Sequence, residues 1–396
     1  MATPALTVHG APTMETIRLE VHRLAARFAQ ERQTRQRRRE LDQADFEQLA
    51  AAGFLLSCLP VAYGGVWESH DRSLRSVCEI LRELAHGDSS VALVSAMHPA
   101  VLSTGGWLTC PQAAPPFETA WEEQCRWVFS TARHGAWWGT IMSEPGSGGD
   151  VSKTKAVARP GAGDGEFRLS GQKHFGSGSG ITSYMITSAI PSGESDPDIF
   201  FMDMRGVPWD GSAGAKLLAE WDGHGMIATC SHAMAFDDFP ATRLAWPRYS
   251  QKAAGAPAGG FHGCAFTAVI VGIVEIAMET AREQLARRRT ALRAYEQVEW
   301  SRTELDAWLI QQAYAGMLRA VEQGPDRRGA LFGKVAIAEL AESALSRLCK
   351  VLGGGSYARQ SPFGFWFEDV RALGFLRPPW GLAYDELFQS GWETAP

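Results

Sequence analysis

Paired cysteines are missing from this sequence. The seven cysteines, at positions 58, 78, 110, 125, 230, 264 and 349, are odd in number, with no C-x-x-C and no metal-ligand spacing. A disulfide scaffold and a zinc ribbon are excluded, no metal is expected, and reduced, mostly buried thiols in a cytoplasmic protein are the expectation. An excess of basic charge is missing too. Lys+Arg number 38 against 44 Asp+Glu, a net charge of -6, so nucleic acid is not an expected partner. No apolar run reaches the ~18 residues of a membrane span and no apolar signal core follows Met1, so neither a membrane nor secretion is expected. Finally, there is no G-x-G-x-x-G after a strand, no Walker loop, no H-E-x-x-H and no G-x-S-x-G. A nucleotide site must therefore be built from something else, and the chain carries no NAD(P)H fingerprint of its own.

What is present suits a folded soluble protein. The chain has 396 residues, 45% hydrophobic and 21% charged, enough for two or three domains at ~150 residues each. Glycine (41) and tryptophan (14) are abundant, predicting tight turns and large apolar surfaces to bury. Ile17, Val21, Leu24, Ala25 and Phe28 recur at helical spacing, followed by Phe46, Leu49 and Phe54. The basic run 32–39 reads as a solvated helix face. Residues 73–84 and 89–102 continue the helical series across the capping stretch His86-Gly87-Asp88-Ser89.

From about Gly135 the character changes. Residues 155–158, 166–169, 184–187 and 199–202 read as strands, with 161–165 as a hairpin turn. After a linker at 253–260, helical periodicity returns over 266–318 and 329–352, with Gly324 and Pro325 marking the break. The fold class is α+β, with a helical N-terminal domain (1–134), a central antiparallel β-barrel-like domain (135–248) and a C-terminal four-helix bundle (249–396). The long apolar faces of the last part predict a homotetramer or homodimer.

Two glycine-rich stretches stand out. The first, Ser143-Glu144-Pro145-Gly146-Ser147-Gly148-Gly149-Asp150, follows an apolar strand ending at Met142. Its backbone N–H groups can approach a planar or anionic ligand because little side-chain bulk obstructs them. The second, Gly171-Gln172-Lys173-His174-Phe175-Gly176-Ser177-Gly178, offers an aromatic face at Phe175 and a hydroxyl at Ser177. Either alone is an ordinary loop, and Ser143 and Ser177 could equally be turn caps.

Together they resemble the acyl-CoA dehydrogenase fold family of flavoproteins. The first stretch is similar to T/S-E-P-G-x-G-S-D and the second, loosely, to G-x-K-x-W-I-T-N. Residues 221–231 followed by Phe236 resemble the G-M-R-x-T-x-S segment, and Leu352-Gly353-Gly354-Gly355-Ser356-Tyr357 resembles the late G-G-x-G-Y. The resemblance implies a flavin between the β domain and the C-terminal helices. Met142, Ser143, Gly148, Gly149, Phe175, Gly176 and Ser177 would lie along its ring, with the Ser143 and Ser177 hydroxyls near the pyrimidine edge and N5.

The departures from that family are as informative. Its catalytic glutamate falls, by position, on Arg377, and a guanidinium is no base near neutral pH. The alternative position for that base is held by His262, which reads as a packed or surface histidine as readily as a base. Phe175-Gly176-Ser177-Gly178 is like the segment of the reduced-flavin monooxygenases that share the fold, and His98 resembles a histidine near their substrate. Where the family holds the FAD pyrophosphate, Arg288 and Thr290 are kept, Lys350 replaces a glutamine, and Gly353 and Gly354 follow. FAD is the first expectation, with FMN or an exchangeable flavin as the alternative.

The resulting expectation is a flavin-dependent oxidoreductase, a two-component-type monooxygenase supplied by a separate flavin reductase and acting on a bulky apolar or aromatic small molecule. The alternatives are an acyl-CoA dehydrogenase with a relocated base and a non-catalytic flavin-binding or assembly subunit.

Overall fold

The computed structural model describes residues 12–110, 112–163, 165–248, 260–324 and 326–392. The first helix, Met14–Gln30, buries Ile17, Val21, Ala25 and Phe28 on one face, as their three- and four-residue spacing requires. Thr13 caps it by accepting from the Thr16 N–H. Helices His70–Gly87 and Ser89–Thr104 follow, separated by Asp88, whose carboxylate caps the second by accepting from Val91 N at 3.0 Å.

The basic run is a solvated face only in part: Arg37 and Arg39 are exposed, but Arg35 is not. Arg35 is 4% exposed and pairs with Asp45 at 2.6 Å and Asp88 at 2.9 Å, while Arg32 donates to His86 O. A guanidinium can be buried when its donors are met by carboxylates. Here it fastens the first helix region to the start of the Ser89–Thr104 helix.

Seven strands follow: β1 Trp138–Thr140, β2 Val157–Pro160, β3 Glu166–Gly176, β4 Tyr184–Pro191, β5 Asp198–Asp203, β6 Ala215–Ala219 and β7 His232–Arg243. β4, β2, β3, β7 and β5 form a ring that closes because β5 pairs back on β4. The barrel is mixed, where an antiparallel one was expected: β4 runs parallel to β1 and β2 and antiparallel to β5. Its interior holds Ile141, Leu169, Met185, Phe200, Phe236 and Phe239. Strand β3 extends to Gly176, so most of the second glycine-rich stretch is strand end. Bulges between Leu169 and Gly171 and between Lys173 and Gly176 shift its register against β7, with which it pairs again at Gly176.

The helical region after the barrel has three long members, Phe261–Ala286, Ala294–Glu322 and Arg327–Leu352, with the shorter Trp380–Trp392 helix packed on the third. The expected run 266–318 is broken at 287–293, where a tight turn over Arg289–Ala291 intervenes. The linker 253–259, and Asp164 and Pro325 of the two expected breaks, lie outside the described residues. Phe261–Ala286 is apolar almost all round and packs on both His70–Gly87 and Ser89–Thr104, which places it in the core. None of the seven cysteines is in a disulfide, and five of them are buried.

Six tryptophans, 107, 121, 127, 137, 138 and 246, join this helical layer to the barrel. Trp138 stacks on Tyr184 at 4.8 Å, Trp107 meets Trp138 edge-on at 5.1 Å, and Trp137 stacks on Phe54 at 5.5 Å. Tryptophan abundance therefore serves this packed wall first.

Candidate functional site

The two glycine-rich stretches meet. His174 N donates to Ser143 O at 2.7 Å, forming an isolated antiparallel bridge. Beneath it, Lys173 Nζ donates to Glu144 Oε1 and to Ser188 O at 2.6 Å. Glu144 in turn accepts from the N–H groups of Lys155 (2.7 Å) and Ala156 (3.2 Å). Burial pulls the Lys173 ammonium below its ordinary pKa, and the Glu144 carboxylate opposes that shift. Glu144 and Lys173 belong to the quoted motifs, yet reading them as motif letters missed their partnership. A glutamate one residue after Ser143 and a lysine two before Phe175 were the available signal.

On top of this base, Phe175 sits at φ 60 with its ring 56% exposed. A phenylalanine in the left-handed region is uncommon and holds its side chain out over the surface. Gly146 and Gly148, at φ +77 and +61, have nothing within 4 Å of where a Cβ would stand, so their backbone is open to a ligand. Gly149 differs. A Cβ there would approach Pro379 Cγ to 3.0 Å, because the segment carrying Arg377 lies against it.

Arg377 bridges the two parts of the molecule. Its Nη1 donates to Gly149 O and its Nη2 to Ser143 Oγ at 3.2 Å. Beside it a cavity of about 130 Å³ is lined by His262, Lys334, Arg327, Pro378 and Glu386 among others. Lys334 Nζ donates to Leu376 O (3.0 Å) and Pro378 O (2.6 Å), and burial lowers its pKa to about 8. His262 is pushed down to about 4 by burial and by Arg377, Lys334 and Arg327, so it is neutral at neutral pH.

Ser177 is 7% exposed and its Oγ lies 2.8 Å from Ser231 Oγ. Gly178, whose N donates to Thr229 O at 2.8 Å, and Gly176 are buried beside it. Met142 is half-buried at the start of the first stretch.

His98 stands apart from these contacts. It is fully buried, its Nδ1 accepts from Trp138 N at 3.1 Å, and its Nε2 has no partner among the described residues. Burial lowers its pKa to about 3, so the ring is neutral with its proton on Nε2. Ser95 Oγ on the same helix and Thr140 Oγ1 on β1 are likewise buried and unpartnered.

The dinucleotide-end residues form a separate group. Arg288 donates to Val351 O at 2.7 Å and faces Glu296 at 3.4 Å. Thr290, Lys350, Gly353 and Gly354 are exposed.

Comparison with known proteins bears on the fold and on the kind of protein this chain resembles. Residues 11–106 match the model of the acyl-CoA dehydrogenase N-terminal domain. The chain is 26% identical to the amino sugar nitrososynthase RubN8 of Streptomyces rubradiris over 95% of its own length and 88% of that protein's. It is 29% identical to the probable FMNH2-dependent monooxygenase SfnC of Pseudomonas putida, over 54% of this chain and 47% of that one. In structure it superposes on FMN-bound TdsC, the dibenzothiophene monooxygenase of Paenibacillus sp. A11-2, with a TM-score of 0.79 at 19% identity, covering 96% of this chain and 98% of that one. The fold is that of the acyl-CoA dehydrogenases, and the proteins resembled are flavin-dependent oxidoreductases on the monooxygenase side of that fold.

Proposed function

We propose that this protein is a monooxygenase that takes FMN in reduced form from a separate reductase and acts on a bulky apolar or aromatic small molecule. The observation that carries this reading is the Ser143–His174 bridge. It joins an open glycine backbone, an exposed Phe175 ring and two serines into one strip suited to a flat heterocycle. Phe175 would cover a ring face, Gly146 and Gly148 would admit its edge, and Ser143 and Ser177 would bond its polar atoms.

FMN is favoured over FAD. Proteins this chain resembles include an FMN-bound structure and a probable FMNH2-dependent monooxygenase, while Arg288, the group implied for a pyrophosphate, gives two of its donors to Val351 O and Glu296 of its own chain. Reduced FMN supplies two electrons to dioxygen, so that one oxygen atom enters the substrate and the other leaves as water.

The chain's own residues position and shield. Arg377 clamps the first glycine stretch through Gly149 O and Ser143 Oγ and holds no proton to exchange near neutral pH. Neutral His98, with Ser95 and Thr140, offers buried polar atoms to a substrate among apolar walls. Self-association through the helices is part of the proposal. Tyr295, Val298, Leu305, Trp308 and Leu309 are all more than a third exposed on the 294–322 helix.

The test is equilibrium binding of FMN and FAD to purified protein, followed by flavin absorbance, then oxygen-consuming turnover with a flavin reductase. The substrate panel should contrast aromatic heterocycles with amino sugars. Failure of either flavin to bind at micromolar concentration overturns the reading.

A further inference from the structure

Two cations at the junction of barrel and helices have no counter-charge. Lys334, on the Arg327–Leu352 helix, is 3% exposed and gives two of its three protons to Leu376 O and Pro378 O. Burial alone moves its pKa, down to about 8, with no carboxylate pulling the other way. Arg377, half-buried between those two carbonyls, donates to Gly149 O and Ser143 Oγ and feels Asp150 without pairing with it. Buried charges are ordinarily paired, because the water they lose is otherwise not replaced.

Lys334 lines the cavity of about 130 Å³, together with His262 from the Phe261–Ala286 helix. Among the described residues the wall has one carboxylate, Glu386, and Arg327 grips both of its oxygens, Nη2 to Oε2 at 2.7 Å. Glu386 therefore cancels Arg327 and leaves Lys334 unmatched. His262 makes no hydrogen bond among the described residues, and as a neutral ring it has one N–H to give. Met317 and Leu331 make part of the remaining wall apolar. We infer that this cavity receives the carboxylate of the substrate, one oxygen on the spare Lys334 proton and the other on the His262 N–H. Two donors suit two oxygens, whereas a phosphate would leave an oxygen without one. The inference rests on the function proposed above and narrows it: the bulky apolar or aromatic molecule is an acid. Pro378 of the cavity wall adjoins Arg377, which holds Ser143 of the glycine-rich strip, so a molecule anchored here reaches the flavin side by its other end.

The experiment titrates the FMN-loaded full chain by calorimetry with phenylacetate and 2-naphthoate and with their carboxamides, which match them in shape without the charge. At least one acid should bind about tenfold more tightly than its amide. Lys334→Met should bring that ratio toward one. Glu386→Gln leaves Arg327 without its partner and should raise the ratio, giving a second route if the methionine variant does not fold. Equal affinities of acid and amide in wild type, no binding of either acid at millimolar concentration, or a ratio unchanged in both variants overturns the inference and leaves the flavin reading intact. FMN and riboflavin are compared in the same variants. If Lys334→Met weakens FMN and spares riboflavin, the cavity holds the cofactor's phosphate and the substrate assignment falls. If wild type binds no flavin, the proposed function falls, and the acid-to-amide ratio of the flavin-free chain still decides whether the cavity takes a carboxylate.

Discussion

Lys173 Nζ stands 2.5 Å from Glu144 Oε1 in a position where neither side chain meets solvent. Two charges removed from water stabilise little as a pair, but each becomes costly without the other. Lys173→Met should therefore lower unfolding free energy by about 3–5 kcal/mol in urea. Glu144→Gln turns an NH2 toward one set of these donors, since Lys155 N bonds Oε2 while Ala156 N and Lys173 Nζ bond Oε1, and leaves the buried ammonium without its counter-charge, so it should also cost about 3–5 kcal/mol. A cost below about 1 kcal/mol for both would mean the pair does not hold the glycine-rich stretches together.

Asp369 joins three parts of the molecule, accepting from Ser89 Oγ at 2.5 Å and Met226 N at 2.6 Å from its helix Phe363–Val370. Burial raises its pKa from 3.8 to about 6, and the nearby Asp88 and Glu368 carboxylates push the same way. A carboxyl whose pKa is higher folded than unfolded contributes stability that is complete below the unfolded value and lost as pH rises through the folded one. Wild type should lose thermal stability relative to Asp369→Asn between pH ~4 and ~6. The amide can keep both hydrogen bonds without charge, so a difference in Tm that does not move with pH would refute the assignment.

Arg377, onto which the family resemblance places a dehydrogenase's base, turns its donors to Gly149 O and Ser143 Oγ. Anaerobic acyl-CoA thioesters should leave the absorbance of bound flavin unchanged. Arg377→Lys cannot reach both oxygens in fork geometry and should weaken FMN binding about tenfold, one charge-assisted hydrogen bond at ~1.4 kcal/mol. Rapid bleaching by a thioester would revive the dehydrogenase alternative and direct attention to His262 or Glu386.

Light scattering at micromolar concentration should report a particle of four, or at least two, 43.1 kDa chains. Trp308 is 57% exposed amid the apolar stripe of its helix, and Trp308→Glu should shift the particle to a smaller size. A 43.1 kDa species for wild type would rule this out.

Much of this was legible where the signal is local. The spacing of Ile17, Val21, Ala25 and Phe28 gave a helix face that is indeed buried, and the two glycine-rich stretches are the segments that the Ser143–His174 bridge brings together. What escaped depends on partners far along the chain. Nothing near Arg35 separates it from the other arginines of its run; its burial follows from Asp45 and Asp88, brought to it by folding. Strand β7 carries Asp237, Asp238 and Pro240 and lacks clean alternation, so only its pairing with β3 reveals it.

Closure of the barrel has a consequence for how this chain meets others. Since β4 takes β2 and β5 as partners and completes the ring, the long strands have no vacant ladder. Among the described residues, only β1 and β6, three and five residues long, lie outside the ring. A foreign strand finds almost no template on which to add, so runaway stacking of sheets is discouraged while the helices stay free to associate.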